Sequence, residues 1–249
     1  MAWDGTSSRS FSLLTESPEL TGTRLGAILG NQVIPKKLHI VWVGDESKRP
    51  DNCIQTWKQK NPDLEIKIWG NQDLRDNSWR NADKMMEFAK RQEFCGIADL
   101  MRYEILHEQG GFAIDADCVC IKTLPDWLFE ATEFCCYENE IKRPGLLANG
   151  YLAAQASSSF IGQIIEDIHA DDIEGQPAWI ATGPARLTDV WERFQYPNLT
   201  VYPSHYFIPE HFSGQRYTGA GHIFAKQFWG STRKIYDSLY MQECLEERE

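Results

Sequence analysis

The sequence predicts an α/β fold, with a mainly parallel sheet flanked by helices and a mixed second half. Three short β-rich runs, at 37–43, 65–69 and 112–121, carry the prediction, together with the helix-compatible stretches that separate them at 50–60 and 81–106. A β-α-β-α-β order closes by right-handed crossovers, which give parallel pairing with helices packed on the sheet.

The elements follow in order. Residues 1–32 are rich in Ser, Thr and Gly and read as a loosely attached arm, leaving 33–249 as one domain. Lys37-Leu38-His39-Ile40-Val41-Trp42-Val43 is largely apolar, as a buried strand requires, and Gly44-Asp45 ends it. The helix over 50–60 stops at Asn61-Pro62, because the residue before a proline is pushed out of the helical region. Glu65-Ile66-Lys67-Ile68-Trp69 alternates as a second strand and ends at Gly70-Asn71. Residues 81–106 hold one or two helices, stopped by Gly110-Gly111, and the strand over 112–121 follows. Beyond it, 133–137 and 151–154 are short strand candidates, and Phe160, Ile164, Ile165 and Ile168 form a helical stripe. A helix is expected after Pro184, 201–208 is strand-like, and 231–245 should close the chain as a helix.

Length and charge restrict function. At 249 residues the chain fits one large domain better than two. It carries 25 Lys and Arg against 36 Asp and Glu, a formal net charge of -11, which disfavours nucleic acid and anionic membrane surfaces as partners. A phosphate-bearing ligand then needs a local device, such as a metal ion. No run approaches the roughly 20 apolar residues of a membrane helix, and the amino terminus lacks the apolar core of a secretory signal. The seven cysteines show no zinc-ligand spacing, so buried reduced thiols and a cytoplasmic location are expected.

Asp115-Ala116-Asp117 falls near the carboxyl end of the third strand, where open parallel sheets bind ligands. A strand period of two puts both carboxylates on one face, with Ile114, Ala116 and Cys118 turned to the core. Adjacent carboxylates repel, and a hard cation, Mn²⁺ or Mg²⁺, relieves that repulsion by taking oxygens from both while still binding a diphosphate. With 16 Asp in the chain, about one such tripeptide arises by chance, so a solvated carboxylate pair accounts for it equally well. Upstream, Asp99 and Arg102 share a helical face, with Ile97, Leu100, Met101 and Ile105 on the buried one. Spacing alone favours a plain intrahelical ion pair. The functional alternative aims both groups at the sheet edge, Arg102 at a phosphate or sugar oxygen and Asp99 at a sugar hydroxyl.

Cys95-Gly96-Ile97-Ala98-Asp99-Leu100-Met101-Arg102-Tyr103 followed by Gly110-Gly111-Phe112-Ala113-Ile114-Asp115-Ala116-Asp117 resembles the signature of the DXD sugar-binding glycosyltransferases. That group includes family 32, with the yeast initiating α-1,6-mannosyltransferase, and the glucosyltransferase domains of large clostridial toxins. Further matches lie in family order: Ile34 to Gly44 resembles the opening strand, Trp57 and Asn61-Pro62 the next helix and turn, and Thr182-Gly183-Pro184 a later motif. The resemblance spans roughly residues 33–232, and ordered motifs of this kind are far more specific than the tripeptide alone.

The resemblance implies a GT-A domain over 33–249 that binds a nucleoside-diphosphate sugar, with UDP the expected nucleotide. It implies transfer of the sugar, with retention of anomeric configuration, to a glycan or other hydroxyl acceptor. Asp115 and Asp117 take the metal- and donor-binding positions, and Asp99 and Arg102 those that contact sugar and phosphate. Trp42 stands where the toxin relatives stack an aromatic ring on uracil, although it fits equally as a core residue beside Ile40 and Val41. Asn71, just past the second strand, could reach the base or ribose. Asn149 could face the acceptor or serve as a turn residue.

Two positions depart from the pattern. Relatives carry Tyr where this chain has Ala113, and a carboxy-terminal metal-binding His where it has Gln227, so the third metal ligand is open between Gln227 and His222. A sugar-nucleotide-binding protein with little transferase activity is therefore a second reading. Asp115-Ala116-Asp117-Cys118-Val119 also fits the opening motif of haloacid-dehalogenase-like phosphatases, which expect a later acidic pair at a strand end; Asp171-Asp172 instead follows a helical stripe.

Overall fold

The computed structural model describes residues 34–240, so the arm expected over 1–32 and the chain beyond residue 240 lie outside the described residues. The first half follows the expected order closely: β1 (Lys37–Val41), α1 (Asp51–Lys60), β2 (Glu65–Trp69), α2 (Asn71–Asp76), α3 (Ala82–Lys90), α4 (Phe94–Gln109) and β3 (Gly111–Ile114). The short, polar α2 was not expected, having no apolar stripe to signal it. Gly110 ends α4 at φ 63°, and a side chain there would also strike the backbone at Ala156, so glycine alone suits the turn.

The expected strand over 112–121 is in fact two. After β3 the chain turns at Ala116 and Asp117, and β4 (Cys118–Cys120) leaves the main sheet to pair with β8 (Ala225–Gln227). Then come β5 (Glu133–Asn139), β6 (Arg143–Ala154), α5 (Ser159–Ala170), α6 (Ala178–Ala181), α7 (Pro184–Phe194) and β7 (Leu199–Tyr202). The strand candidates at 133–137 and 151–154 are the outer ends of one long hairpin, and the run at 201–208 ends as a 3₁₀ turn, Ser204–Tyr206. The expected closing helix is broken into α8 (Gly230–Arg233) and α9 (Tyr236–Leu239), with Lys234 between them in a left-handed conformation, φ 56°.

The main sheet runs β2-β1-β3-β6-β5-β7, and its pairings make every strand parallel except β6. It is the mainly parallel α/β sheet that the sequence predicts. Both faces are covered. Leu38 and Ile40 of β1 with Phe112 and Ile114 of β3 pack beside Trp57 of α1, Phe134 and Phe207 on one side. On the other, Val41 and Ala113 meet Leu100, Met101 and Tyr103 of α4 and Phe160, Ile161 and Ile164 of α5. This two-sided burial explains why β1 and β3 read as apolar runs rather than clean alternations. All six cysteines within the described residues are free thiols; Cys95 is exposed and the rest are buried.

Candidate active site

The cleft lies beyond the carboxyl ends of β1 and β3, as the topology of a parallel sheet dictates. Its volume is about 1230 Å³, and it is lined by Trp42, Asp99, Arg102, Asp115, Asp117, Asn149 and Gln227, among others. Asp115 directly follows β3, held to β6 by its backbone N–H, which donates to the Gly150 carbonyl at 3.1 Å. The turn at Ala116 then redirects the chain. The two carboxylates do not converge through strand periodicity, because no strand exists at these residues. They converge because both meet Gln227 of β8, whose Nε2 lies 3.3 Å from Asp115 Oδ2 and 3.0 Å from Asp117 Oδ1.

Arg102 is buried, 3% exposed, and its fork joins helix to loop. Nη1 donates to Asp99 Oδ1 at 3.1 Å and to the Asn149 carbonyl at 2.8 Å, while Nη2 pairs with Asp115 Oδ1. The intrahelical Asp99–Arg102 ion pair that spacing favours is present, and it lies at the carboxyl edge of the sheet beside Asp115. Burial opposes the charge on Arg102, but Asp115 and Asp99 hold its pKa above the ordinary value. Asp99 is tied further, accepting from Asn149 Nδ2 at 2.7 Å and from Thr182 Oγ1 at 3.3 Å. Its carboxyl is nonetheless pushed up to about 7, chiefly by burial, with Arg102 opposing and Asp115 adding to the rise.

Asp117 is also pushed up to about 7, first by burial and then by the charge of Asp115. The Gly230 N–H at the start of α8 and Gln227 both bond its carboxylate, yet neither carries a charge. Among the described residues no cationic side chain pairs with Asp117, whereas Asp115 is paired with Arg102. Asp115 and Asp117 supply hard carboxylate oxygens, and Gln227, whose Oε1 now accepts from Tyr151 Oη at 3.0 Å, supplies a carboxamide that rotation would present as a third oxygen. This donor set suits Mn²⁺ or Mg²⁺. No group of three His, Cys, Asp or Glu side chains suited to a metal occurs among the described residues.

The remaining expected residues divide. Trp42 lines the cleft, half-buried, donating from Nε1 to the Asp45 carbonyl at 3.0 Å, with the Tyr236 ring edge-on at 5.0 Å. His222 does not reach the carboxylates: it sits exposed in a loop, stacked on Phe224 at 5.6 Å. Asn71 is likewise not among the cleft residues. Its side chain clamps Gly44, accepting from the backbone N–H and donating to the carbonyl at 2.8 Å each, and it donates to Glu46, so its job is to hold the loop after β1. Ala113 is buried beneath α4, away from the cleft lining. Asp171 of the acidic pair required by the phosphatase reading is ion-paired with Arg186, and neither residue of that pair lines the cleft. Sequence reasoning missed Gly150, Tyr151 and Tyr236, whose chain positions carry no local signal, and the Thr182 bond to Asp99, for which the Thr182-Gly183-Pro184 motif was a hint.

Comparisons with known proteins show what this chain is similar to. Residues 47–134 match the family described as "Glycosyltransferase sugar-binding region containing DXD motif", which takes in α4, β3 and both aspartates. The chain is 24% identical over 205 residues to "Inositol phosphoceramide mannosyltransferase 2" of Schizosaccharomyces pombe, covering 76% of this chain and 55% of the relative. It is 30% identical over 115 residues to an uncharacterized glycosyltransferase of Acanthamoeba polyphaga mimivirus, covering 43% of this chain and 44% of the relative. The chain thus spans about half the length of these curated relatives. Among solved structures, "PaToxG Glycosyltransferase" superposes with a TM-score of 0.50 at 16% identity, over 65% of this chain and 69% of that one, a likeness of fold. Residues 47–134 thus match a DXD-containing glycosyltransferase sugar-binding region, carried on a fold like that of a solved glycosyltransferase.

Proposed function

We propose that the chain transfers a sugar from a nucleoside-diphosphate sugar, with UDP the expected nucleotide, to a hydroxyl of a glycan or other acceptor. The observation that carries this reading is the convergence of Asp115, Asp117 and Gln227 beside Arg102 in one cleft that also holds Trp42. Asp115, Asp117 and Gln227 would hold Mn²⁺ or Mg²⁺, which when bound supplies positive charge for a diphosphate and its departure. Arg102 fixes Asp115 and Asp99, and its charge adds to the field at the leaving diphosphate. Asp99, held by Asn149 and Thr182, faces the cleft as a hydrogen-bond partner for sugar hydroxyls. Trp42 offers an aromatic face for the base. No cleft side chain is assigned as a covalent nucleophile, and front-side attack by the acceptor hydroxyl gives the retention that the family resemblance implies. The free cysteines support work in a reducing, cytoplasmic setting. Within the described residues no helix is long and apolar enough to cross a membrane.

The test is hydrolysis of a panel of nucleotide sugars with and without Mn²⁺, by wild type and by Asp115→Asn and Asp117→Asn. Metal-dependent hydrolysis that both variants lose is expected; undiminished activity in both removes the metal assignment. Gln227 in the family's His position favours one second reading, a protein that binds the sugar nucleotide with little turnover. Calorimetry showing metal-dependent donor binding without hydrolysis or transfer would select it.

A further inference from the structure

The cleft continues past the carboxylates. Following the strand order, it runs from Trp42 after β1, across Asp115 after β3 and Asn149 on β6, to Glu138 of β5 and Arg143 of β6 at the far end of the hairpin. There it is walled by Trp179 of α6 and Phe212. Trp179 is 48% exposed, more than any other tryptophan among the described residues. The Arg143 guanidinium lies over both rings, 5.3 Å from the Trp179 centroid and 5.8 Å from that of Phe212.

Three arginines line the cleft, and each meets a carboxylate. Arg102 is buried between Asp99 and Asp115, and Arg91 pairs with Glu93 and donates from Nη1 to the Gln176 carbonyl, its Nε and Nη2 being buried without a hydrogen bond. Arg143 is the most exposed of the three, its side chain 37% accessible. Its one carboxylate neighbour is Glu138, with Nε 3.5 Å from Oε1, and that same oxygen is 3.2 Å from His211 Nε2. Among the described residues the Arg143 guanidinium makes no hydrogen bond, so its outer fork of Nη donors is open. A guanidinium laid against aromatic faces keeps its plane, and an open fork in a fixed plane matches the two oxygens of a phosphate or carboxylate. The exposed indole beside it supplies a flat apolar face of the size of a sugar or polyol ring.

We propose that Trp179, Arg143 and Phe212 form the acceptor subsite, and that the acceptor is a sugar or polyol ring bearing a phosphate. The ring lies on Trp179 and the phosphate takes the Arg143 fork. The assignment of this end of the cleft to the acceptor rests on the donor reading above; the binding chemistry does not.

Calorimetry of the full chain with glucose 6-phosphate, glucose and inorganic phosphate tests the proposal, each titrated with and without UDP and Mn²⁺. Glucose 6-phosphate is expected to bind about tenfold or more tightly than either glucose or phosphate alone, and Arg143→Gln and Trp179→Ala each to weaken it by about tenfold. Arg143→Lys, which keeps the charge but not the fork, should lose affinity too, and melting curves establish that each variant is folded. Glucose binding as tightly as glucose 6-phosphate, no binding of glucose 6-phosphate at millimolar concentration, or unchanged affinity in both Arg143→Gln and Trp179→Ala overturns the subsite. A tenfold loss of UDP affinity in Arg143→Gln moves this arginine to the donor and also overturns it. Failure of UDP to bind wild type sinks the donor reading instead, and the titrations without nucleotide still decide the Arg143 chemistry. Vesicles of phosphatidylcholine doped with phosphatidylinositol, compared with phosphatidylserine, identify the source. Binding to the inositol lipid that Arg143→Gln loses points to a lipid headgroup, and binding of glucose 6-phosphate alone to a soluble phosphosugar. Equal binding to both doped vesicles means mere surface charge and overturns the proposal.

Discussion

Gly150 leaves the space that the Asp115 carboxylate occupies: a Cβ on residue 150 would collide with Asp115 Oδ2. Backbone on both sides is held, since the Gly150 carbonyl accepts from the Asp115 N–H, so the carboxylate must move if a methyl arrives. Gly150→Ala is expected to lower Mn²⁺-dependent donor hydrolysis by about 100-fold, the upper range for displaced support of a metal ligand. Melting temperature should change little by comparison. Activity near the wild-type level would mean that Asp115 is free to swing without consequence.

Arg102 carries the only positive charge in contact with Asp99 and Asp115 among the described residues, and it is buried. Arg102→Gln strands two carboxylates, so a loss of about 3–5 kcal/mol in urea unfolding is expected, as for other buried pairs broken on one side. Arg102→Lys should recover part of the stability, because one ammonium cannot hold Asp99, Asp115 and the Asn149 carbonyl together.

The raised carboxyl of Asp117 makes the metal-free protein pH-sensitive in a defined direction. Its folded value of about 7 exceeds the ordinary 3.8, so the native state keeps a proton that the unfolded chain releases. The associated stability is complete below the unfolded value and is lost as pH climbs through the folded one. With EDTA present, Asp117→Asn should therefore gain on wild type between about pH 5 and about pH 8, on the order of 3 °C in Tm. A constant difference across that range would remove Asp117 as the titrating group.

Trp42 separates two roles by measurement. If its ring stacks on the base, Trp42→Ala raises the Kd for UDP by about tenfold or more, the cost of one base–aromatic stack, while Trp42→Phe loses much less. Equal UDP affinity in all three proteins would leave Trp42 as a packing partner for Tyr236.

The framework was legible because its signals are local. Ile40 and Val41, Ile66 and Ile68, and the Ile97 to Ile105 stripe state their periods within a few residues, and Gly110 announces its own turn. The aspartates, Asp99 and Arg102 were found through ordered motifs rather than spacing, and the fold brings them together as one group. What failed was long-range. The apolar character of Cys118 to Cys120 concealed a break after Ile114, because only pairing with Ala225 to Gln227, over a hundred residues on, draws that segment out of the sheet. Asn71 looked available for a ligand because its partner, Gly44, is 27 residues away. Arg143, Trp179 and Phe212 share no motif, and the hairpin, α6 and a loop must all be placed before they meet.

The β4–β8 ribbon makes the aspartate motif half of a machine whose other half is encoded more than a hundred residues later. Phe228 donates its N–H to the Asp117 carbonyl, and Gln227 and Gly230 bond the Asp117 side chain. A splice form or gene fragment ending before Ala225 would keep the whole stretch 47–134 by which the family is recognised, yet lose the strand that seats its second aspartate. In proteins built this way, inheritance of the motif and inheritance of the site are separate events.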